Sequence, residues 1–180
     1  IKRPDFNLMV GSGTHAEQTA KILVETEKLF INNKPEMVIV FGDVNSTIAA
    51  ALSASKLHIP IAHVEAGLRS FDRTMPEEIN RVLTDQISDL LFITSPEAKD
   101  NLINEGKNPD QIFFVGNTMI DSLVRFEKLF DEKELLKKLK FNDEDYVLFT
   151  IHRPSNVDNP EKYIELLYSL NKISEKIYNK

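Results

Sequence analysis

The chain has 180 residues, 42% hydrophobic and 28% charged, with a net charge of −6 at neutral pH. This is enough for one domain, or one domain and part of another, of ordinary globular composition. The acidic balance argues against a nucleic-acid partner, because phosphate binding draws on clustered Lys and Arg, whereas Lys133, Lys137, Lys138 and Lys140 alternate with Glu and Leu as on a solvated helix face. The lack of cysteine excludes a disulfide framework and a thiolate metal site, and no apolar run reaches the roughly 18 residues of a membrane span.

No signal peptide is visible, and a cytoplasmic location is expected. The chain opens on Ile1 rather than Met and stops at Lys180 directly after a helical pattern, so both ends are expected to be cut from a longer polypeptide.

Along the chain, short apolar runs alternate with longer amphipathic stretches. Phe6 to Val10 is apolar and is broken by Gly11-Ser12-Gly13. Thr14 is placed to cap a helix running to about Ile31, with Glu17 as its capping-box partner. Met37 to Phe41 is a β-type run closed by Gly42-Asp43, and Val44 to Leu57 reads as a small-residue helix. Ile59 to Val64 is the next strand. Glu77 to Ser88 is helical, with Ile79, Val82, Leu83 and Ile87 on one apolar face. Then follow a strand at Leu90 to Ile93, a helix at Pro96 to Glu105, a strand at Ile112 to Val115 and a helix at Thr118 to Phe130.

Strands that are continuous apolar runs joined by helices make parallel pairs buried on both faces. The fold class expected is α/β, a doubly wound Rossmann-like parallel sheet. Residues 1–130 form the first domain, 131–145 a connection with its own helix, and 146–180 the start of a second domain, with a strand at Tyr146 to Ile151 and a long helix at Pro160 to Tyr178.

Ligands in such sheets bind outside the carboxyl ends of the strands. That rule selects Gly42-Asp43, Glu65, Gly116-Asn117 and His152-Arg153. Gly42 permits close approach of a ligand to the backbone. Asp43 precedes a helix and reads either as a ligand-facing carboxylate or as a plain helix cap. Glu65 reads either as a catalytic carboxylate or as the ion-pair partner of Arg69, four residues on. Glu77 and Glu78 open a helix, where the dipole favours acids whatever their function. His152 and Arg153 read as donors to an anionic group or as a surface pair. His63 reads as core or as support behind the site, His15 as part of a helix-start loop and His58 as a turn residue. Four scattered histidines give no metal site. With no G-x-G-x-x-G and no P-loop lysine, neither NAD nor ATP is expected, and no cofactor is assigned.

These residues resemble a known family. His63-Val64-Glu65-Ala66-Gly67-Leu68-Arg69-Ser70, then Pro76-Glu77-Glu78-Ile79-Asn80-Arg81, Gly116-Asn117-Thr118-Met119-Ile120-Asp121, and His152-Arg153 with Asn156 are similar, in order and spacing, to the non-hydrolysing UDP-N-acetylglucosamine 2-epimerases. Gly42-Asp43 with Ser46-Thr47 fits as well.

The resemblance implies two Rossmann-like domains of glycosyltransferase-B type with a nucleotide sugar between them. It implies inversion at C2 by elimination of UDP to 2-acetamidoglucal and re-addition. It assigns Asp43, Glu65 and Glu77 as catalytic carboxylates and His152 beside the diphosphate, with Gly42, Arg69, Arg81, Asn117, Arg153 and Asn156 contacting substrate. The expected partners are the UDP-sugar and a second copy of the chain in a homodimer.

Departures from the family pattern are the absence of a G-T-R-P-E loop and of an S-G-G-x-x-E-E stretch, Phe71 to Met75 in place of an S-P-W type segment, and Pro154-Ser155-Asn156 after the His-Arg pair. They leave open a related UDP-2,3-diacetamido uronic acid as substrate. A glycosyltransferase-like binder on the same scaffold is the reading from a different class, and a hydrolysing relative is a third; three converging carboxylates favour the epimerase.

Overall fold

The computed structural model describes residues 2–130, 132–139, 147–151 and 154–178. Thr14 caps helix α1 (His15–Asn33) in a full capping box: its side chain accepts from Glu17 N–H, and the Glu17 carboxylate accepts from the Thr14 backbone. Strand β1 (Val38–Phe41) leads into α2 (Asn45–Lys56), β2 (Ile61–Ala66), α3 (Pro76–Ile87), β3 (Leu90–Ile93), α4 (Pro96–Asn104) and β4 (Ile112–Phe114). Helix α5 (Thr118–Phe126) and a 3-10 turn at Glu127–Leu129 follow, where one longer helix was expected. The four strands are parallel and lie in the order β1-β2-β3-β4. The chain divides into two compact units, 1–127 and 128–180.

In the first unit the strands bury one face against the helices. Val38, Val40 and Ile61 pack with Ala51 and Ala54 of α2, while Leu91 and Ile93 pack with Ala98 and Leu102 of α4. Small side chains along α2 let it approach the sheet closely, and a second layer forms where Ser53 meets buried Thr26 of α1 across a 2.9 Å hydrogen bond. Phe6 to Val10 lies outside regular secondary structure.

Two differences from the expectations bear on function. Strand β2 continues through Glu65 to Ala66, because a bulge lies between Val64 and Ala66: Val64 pairs with Phe92 and Ala66 with Ile93, leaving Glu65 without a partner on β3. Helix α3 also buries a different set of residues. Its buried residues are Glu78, Thr84 and Asp85; of the apolar stripe, Ile87 packs against the first core cluster, whereas Ile79 and Leu83 are 41% and 50% exposed. Charge pairing and hydrogen bonding inside the sheet's polar end outweigh the apolar pattern there.

In the second unit, α6 (Glu132–Lys138), α7 (Pro154–Val157) and α8 (Pro160–Tyr178) are helical. The strand expected over 146–151 is corrected, since its described residues, 147–151, form none.

Candidate active site

The site is built at the carboxyl ends of β1 and β2. Gly42 follows β1 at φ +64°, a conformation open to glycine at no steric cost. Its N–H donates to Val64 O (3.1 Å), and Thr47 Oγ1 donates to Phe41 O (2.6 Å), which closes the turn. The helix that follows is capped at Val44 without a side-chain hydrogen bond, so Asp43 is not a cap. Its carboxylate instead accepts from Arg81 Nη2, and its carbonyl accepts from Asn80 Nδ2 (3.0 Å). Asn80 and Arg81 stand on the inward face of α3, and both reach the Gly42-Asp43 turn from 37 and 38 residues away.

Glu65 sits in the bulge at φ +73°. A non-glycine residue held in that region stores about 1–3 kcal/mol of strain, which is characteristic of functional sites. The bulge aims its side chain at the turn after β1: Glu65 Oε2 lies 3.8 Å from where a Cβ on Gly42 would stand. Two carboxylates, Asp43 and Glu65, are thus brought to neighbouring strand ends. The alternative partner for Glu65, Arg69, is engaged elsewhere. Its guanidinium is 1% exposed and bonds Asp85 (2.8 Å) and Glu105 (2.7 and 2.5 Å). Burial pushes the Arg69 guanidinium toward neutrality, yet Glu105 and Asp85 more than offset this and raise its pKa. Arg69 was expected at the substrate; the structure places it inside the fold, with its donors on Glu105, Asp85 and the Leu68 carbonyl.

Arg81 bridges Asp43 and Glu78, with its side chain 13% exposed. Of the adjacent acids that open α3, Glu78 is the buried one: its carboxylate accepts from Ser70 N (3.0 Å), Phe71 N (2.9 Å) and Arg81. Burial works to raise the Glu78 pKa, but these backbone donors and Arg81 prevail and hold it below the ordinary carboxylate value. Glu77 is half-buried in the same first turn. At the end of β4, Asn117 caps α5 by accepting from Met119 N (2.8 Å), beside Gly116 at φ +80°. Asn156 is exposed on α7, and His152 and Arg153 lie outside the described residues.

The sequence reading gave no part to Asp85 and Glu105, and it named Glu78 and Asn80 only within a motif. A signal for two of these four was present: Glu78 and Asp85 recur with Arg81 at helical spacing, so the three share one face of α3. A charged stripe on a helix that must pack against a sheet calls for partners inside, and here they are Ser70, Phe71, Asp43, His63 and Arg69.

A parallel α/β sheet with carboxylates gathered at the carboxyl ends of adjacent strands defines a Rossmann-like ligand-binding protein. The comparisons with known proteins carry this further. The family model described as UDP-N-acetylglucosamine 2-epimerase matches residues 1–180. The UDP-N-acetylglucosamine 2-epimerase of Methanocaldococcus jannaschii is 50% identical over 184 residues, covering 100% of this chain and 50% of the relative. The UDP-2,3-diacetamido-2,3-dideoxy-D-glucuronate 2-epimerase of Pseudomonas aeruginosa is 46% identical, covering 96% of this chain and 48% of the relative.

The solved structure of the Methanocaldococcus jannaschii UDP-GlcNAc 2-epimerase in complex with UDP-GlcNAc and UDP superposes with a TM-score of 0.88 at 49% identity, over 100% of this chain and 50% of that one. The chain belongs to the UDP-N-acetylglucosamine 2-epimerase family and has its glycosyltransferase-B-like α/β architecture. It spans about half the length of the curated relatives it matches. Among the described residues no helix is long and apolar enough to cross a membrane.

Proposed function

We propose that the polypeptide carrying this chain is a non-hydrolysing UDP-N-acetylglucosamine 2-epimerase, interconverting UDP-GlcNAc and UDP-ManNAc. The observation that carries the reading is the Glu65 carboxylate, held in a left-handed bulge over Gly42, the residue that precedes Asp43. In the first half-reaction a carboxylate takes the C2 proton as the C1–O bond to UDP breaks, leaving 2-acetamidoglucal. In the second, UDP adds back to C1 while an acid on the other side of the ring protonates C2. Asp43, Glu65 and Glu77 supply the acids. By the family resemblance, His152 and Arg153 are assigned to the departing diphosphate, where preorganised donors count most, and Gly42, Asn117 and Asn156 to the substrate. The reaction needs no cofactor.

The test is turnover in heavy water. The expected result is deuterium at C2 of both epimers with traces of UDP and glycal; a C2 hydrogen retained from substrate would sink the elimination route. The second reading, a UDP-2,3-diacetamido uronic acid as substrate, is supported by the 46% identity to the Pseudomonas aeruginosa relative. Comparing kcat/KM on the two nucleotide sugars decides between them. The same proposal includes a homodimer in the cytoplasm. Support for the dimer comes from the apolar outer surface of α3 and its preceding loop, where Phe71 is 77% exposed beside Ile79 and Leu83. A monomeric mass by light scattering at micromolar concentration would remove it.

A further inference from the structure

The Gly42-Asp43 turn is held from below by a side chain that the proposed chemistry does not use. His63 stands in the middle of β2, in register with Val40 on β1 and Leu91 on β3, and is fully buried. Both ring nitrogens are engaged: Nε2 with Gly42 O at 2.8 Å and Nδ1 with Asp85 Oδ1 at 2.7 Å. A carbonyl has no hydrogen to give, so Nε2 carries a proton and donates it to Gly42. Asp85, also fully buried, fixes the ring from the other side. Its second oxygen accepts from Gly67 N (3.0 Å) and pairs with Arg69 (2.8 Å), which is tied in turn to Glu105 beyond the end of α4.

We propose that His63 is a positioning residue, oriented by Asp85, which sets the plane of the Gly42–Asp43 peptide and so presents Asp43 to the substrate. The inference rests on the epimerase reading above. Glycine at φ +64° leaves that peptide free to rotate, because no side chain resists it. The turn is therefore defined by what grips it. Arg81 grips the Asp43 carboxylate and Asn80 its carbonyl, both from α3, and among the described residues His63 alone grips the peptide that leads into Asp43.

The peptide is planar and trans, so a Gly42 carbonyl pointing at His63 turns the Asp43 N–H to the opposite side. That N–H has no hydrogen-bond partner among the described residues. Losing the His63 bond would let the peptide swing and carry both the Asp43 carboxylate and its N–H out of line, while the sheet itself keeps its ladder. Misplacement of a reacting group by about an ångström costs roughly a hundredfold in rate.

The test uses the complete enzyme and two substitutions that divide the histidine's bonds. His63→Gln places an amide donor near the Nε2 position and keeps the bond to Gly42; His63→Asn places one near Nδ1 and keeps only the bond to Asp85. With UDP-GlcNAc as substrate, kcat is expected to fall roughly a hundredfold in His63→Asn and less than tenfold in His63→Gln, with KM within about threefold of wild type in both. If His63→Asn folds and retains kcat within about threefold, or if His63→Gln is no better than His63→Asn, the positioning role is wrong.

A measurement on the wild type is independent of whether the variants fold. In the nitrogen-15 labelled enzyme, His63 Nε2 is expected to carry a slowly exchanging proton coupled to the Gly42 carbonyl carbon; an unprotonated Nε2 overturns the proposal. If wild-type enzyme fails to epimerise UDP-GlcNAc, the functional reading fails, and the nitrogen-15 result still decides the bond.

Discussion

Two turns in this chain are written almost alike and are held in different ways. After β1 comes Gly42-Asp43, and after β4 comes Gly116-Asn117; in each a left-handed glycine precedes a short polar residue and then a helix. At Gly116-Asn117 the polar side chain is satisfied two residues away, by Met119 N–H, and a Cβ on the glycine would meet nothing within 4 Å. At Gly42-Asp43 the partners are His63, Asn80 and Arg81, between 21 and 38 residues away, and the Glu65 carboxylate stands over the glycine. The same local grammar makes a turn in both places. Only the distant partners make one of them a fixed platform for a carboxylate.

The largest effect that tests this contrast is expected at Glu65. Glu65→Gln keeps the side chain's shape but removes its capacity to move a proton, so kcat of the complete enzyme on UDP-GlcNAc is expected to fall roughly a hundredfold or more with little change in melting temperature. An unchanged rate would return Glu65 to a purely structural part.

Next comes Arg81, which joins the Asp43 turn to α3. Arg81→Met leaves the carboxylates of Asp43 and buried Glu78 facing each other without their shared cation, and a loss of about 3 kcal/mol in denaturant unfolding is expected. A loss below about 1 kcal/mol would mean that the turn does not depend on this long-range pair.

Glu78 gives the same contrast a pH signature. Its folded pKa is lowered, so its carboxylate adds stability above the ordinary glutamate value of about 4.3, and that contribution is lost as pH falls through that value toward the folded one. The melting temperature of wild type is therefore expected to drop more steeply on acidification below about pH 4.3 than that of Glu78→Gln. Parallel curves would remove Glu78 from the account.

The smallest effect belongs to the locally satisfied turn. Asn117→Ala removes a helix cap and is expected to cost about 1 kcal/mol, whereas Asn117→Asp retains the cap and most of the stability. Any rise in KM for the Asp variant then reports a substrate contact rather than a fold defect. Equal stability loss in both variants would show that Asn117 is not acting as a cap.

Much of this was legible in the sequence, and for physical reasons. Period and punctuation located the four strands and the helices of the first unit to within a few residues, because Gly42, Pro35, Pro76 and Pro96 interrupt regular structure sharply. The capping box at Thr14 and Glu17 was readable from two residues. The carboxylates at the strand ends were readable because parallel sheets put ligands there.

What was not legible depended on pairing across long separations. The apolar stripe of α3 gave only part of the buried face, since nothing local shows that Glu78, Arg81 and Asp85 meet partners on β2, the β1 turn and the loop after β2. Arg69 looked available because the sequence places Glu65 four residues before it; the fold gives it Asp85 and Glu105 instead. The bulge was invisible because alternation of side chains in a short buried strand cannot reveal one extra residue.

That extra residue sets the placement of the Glu65 carboxylate against the regularity of the sheet. Val64 already pairs with Phe92 and Ala66 with Ile93, so the ladder on either side of Glu65 is consecutive on β3 and interrupted only on β2. A chain shortened by this single codon would let Val64 and Ala66 follow one another with their present partners, restore the two-residue alternation and relieve the left-handed backbone. Such a shortened chain would be expected to hold its sheet at least as firmly and to lose the carboxylate above Gly42. Selection for a stable fold alone would favour the deletion, so the irregular strand is expected to persist only where the carboxylate it places is used.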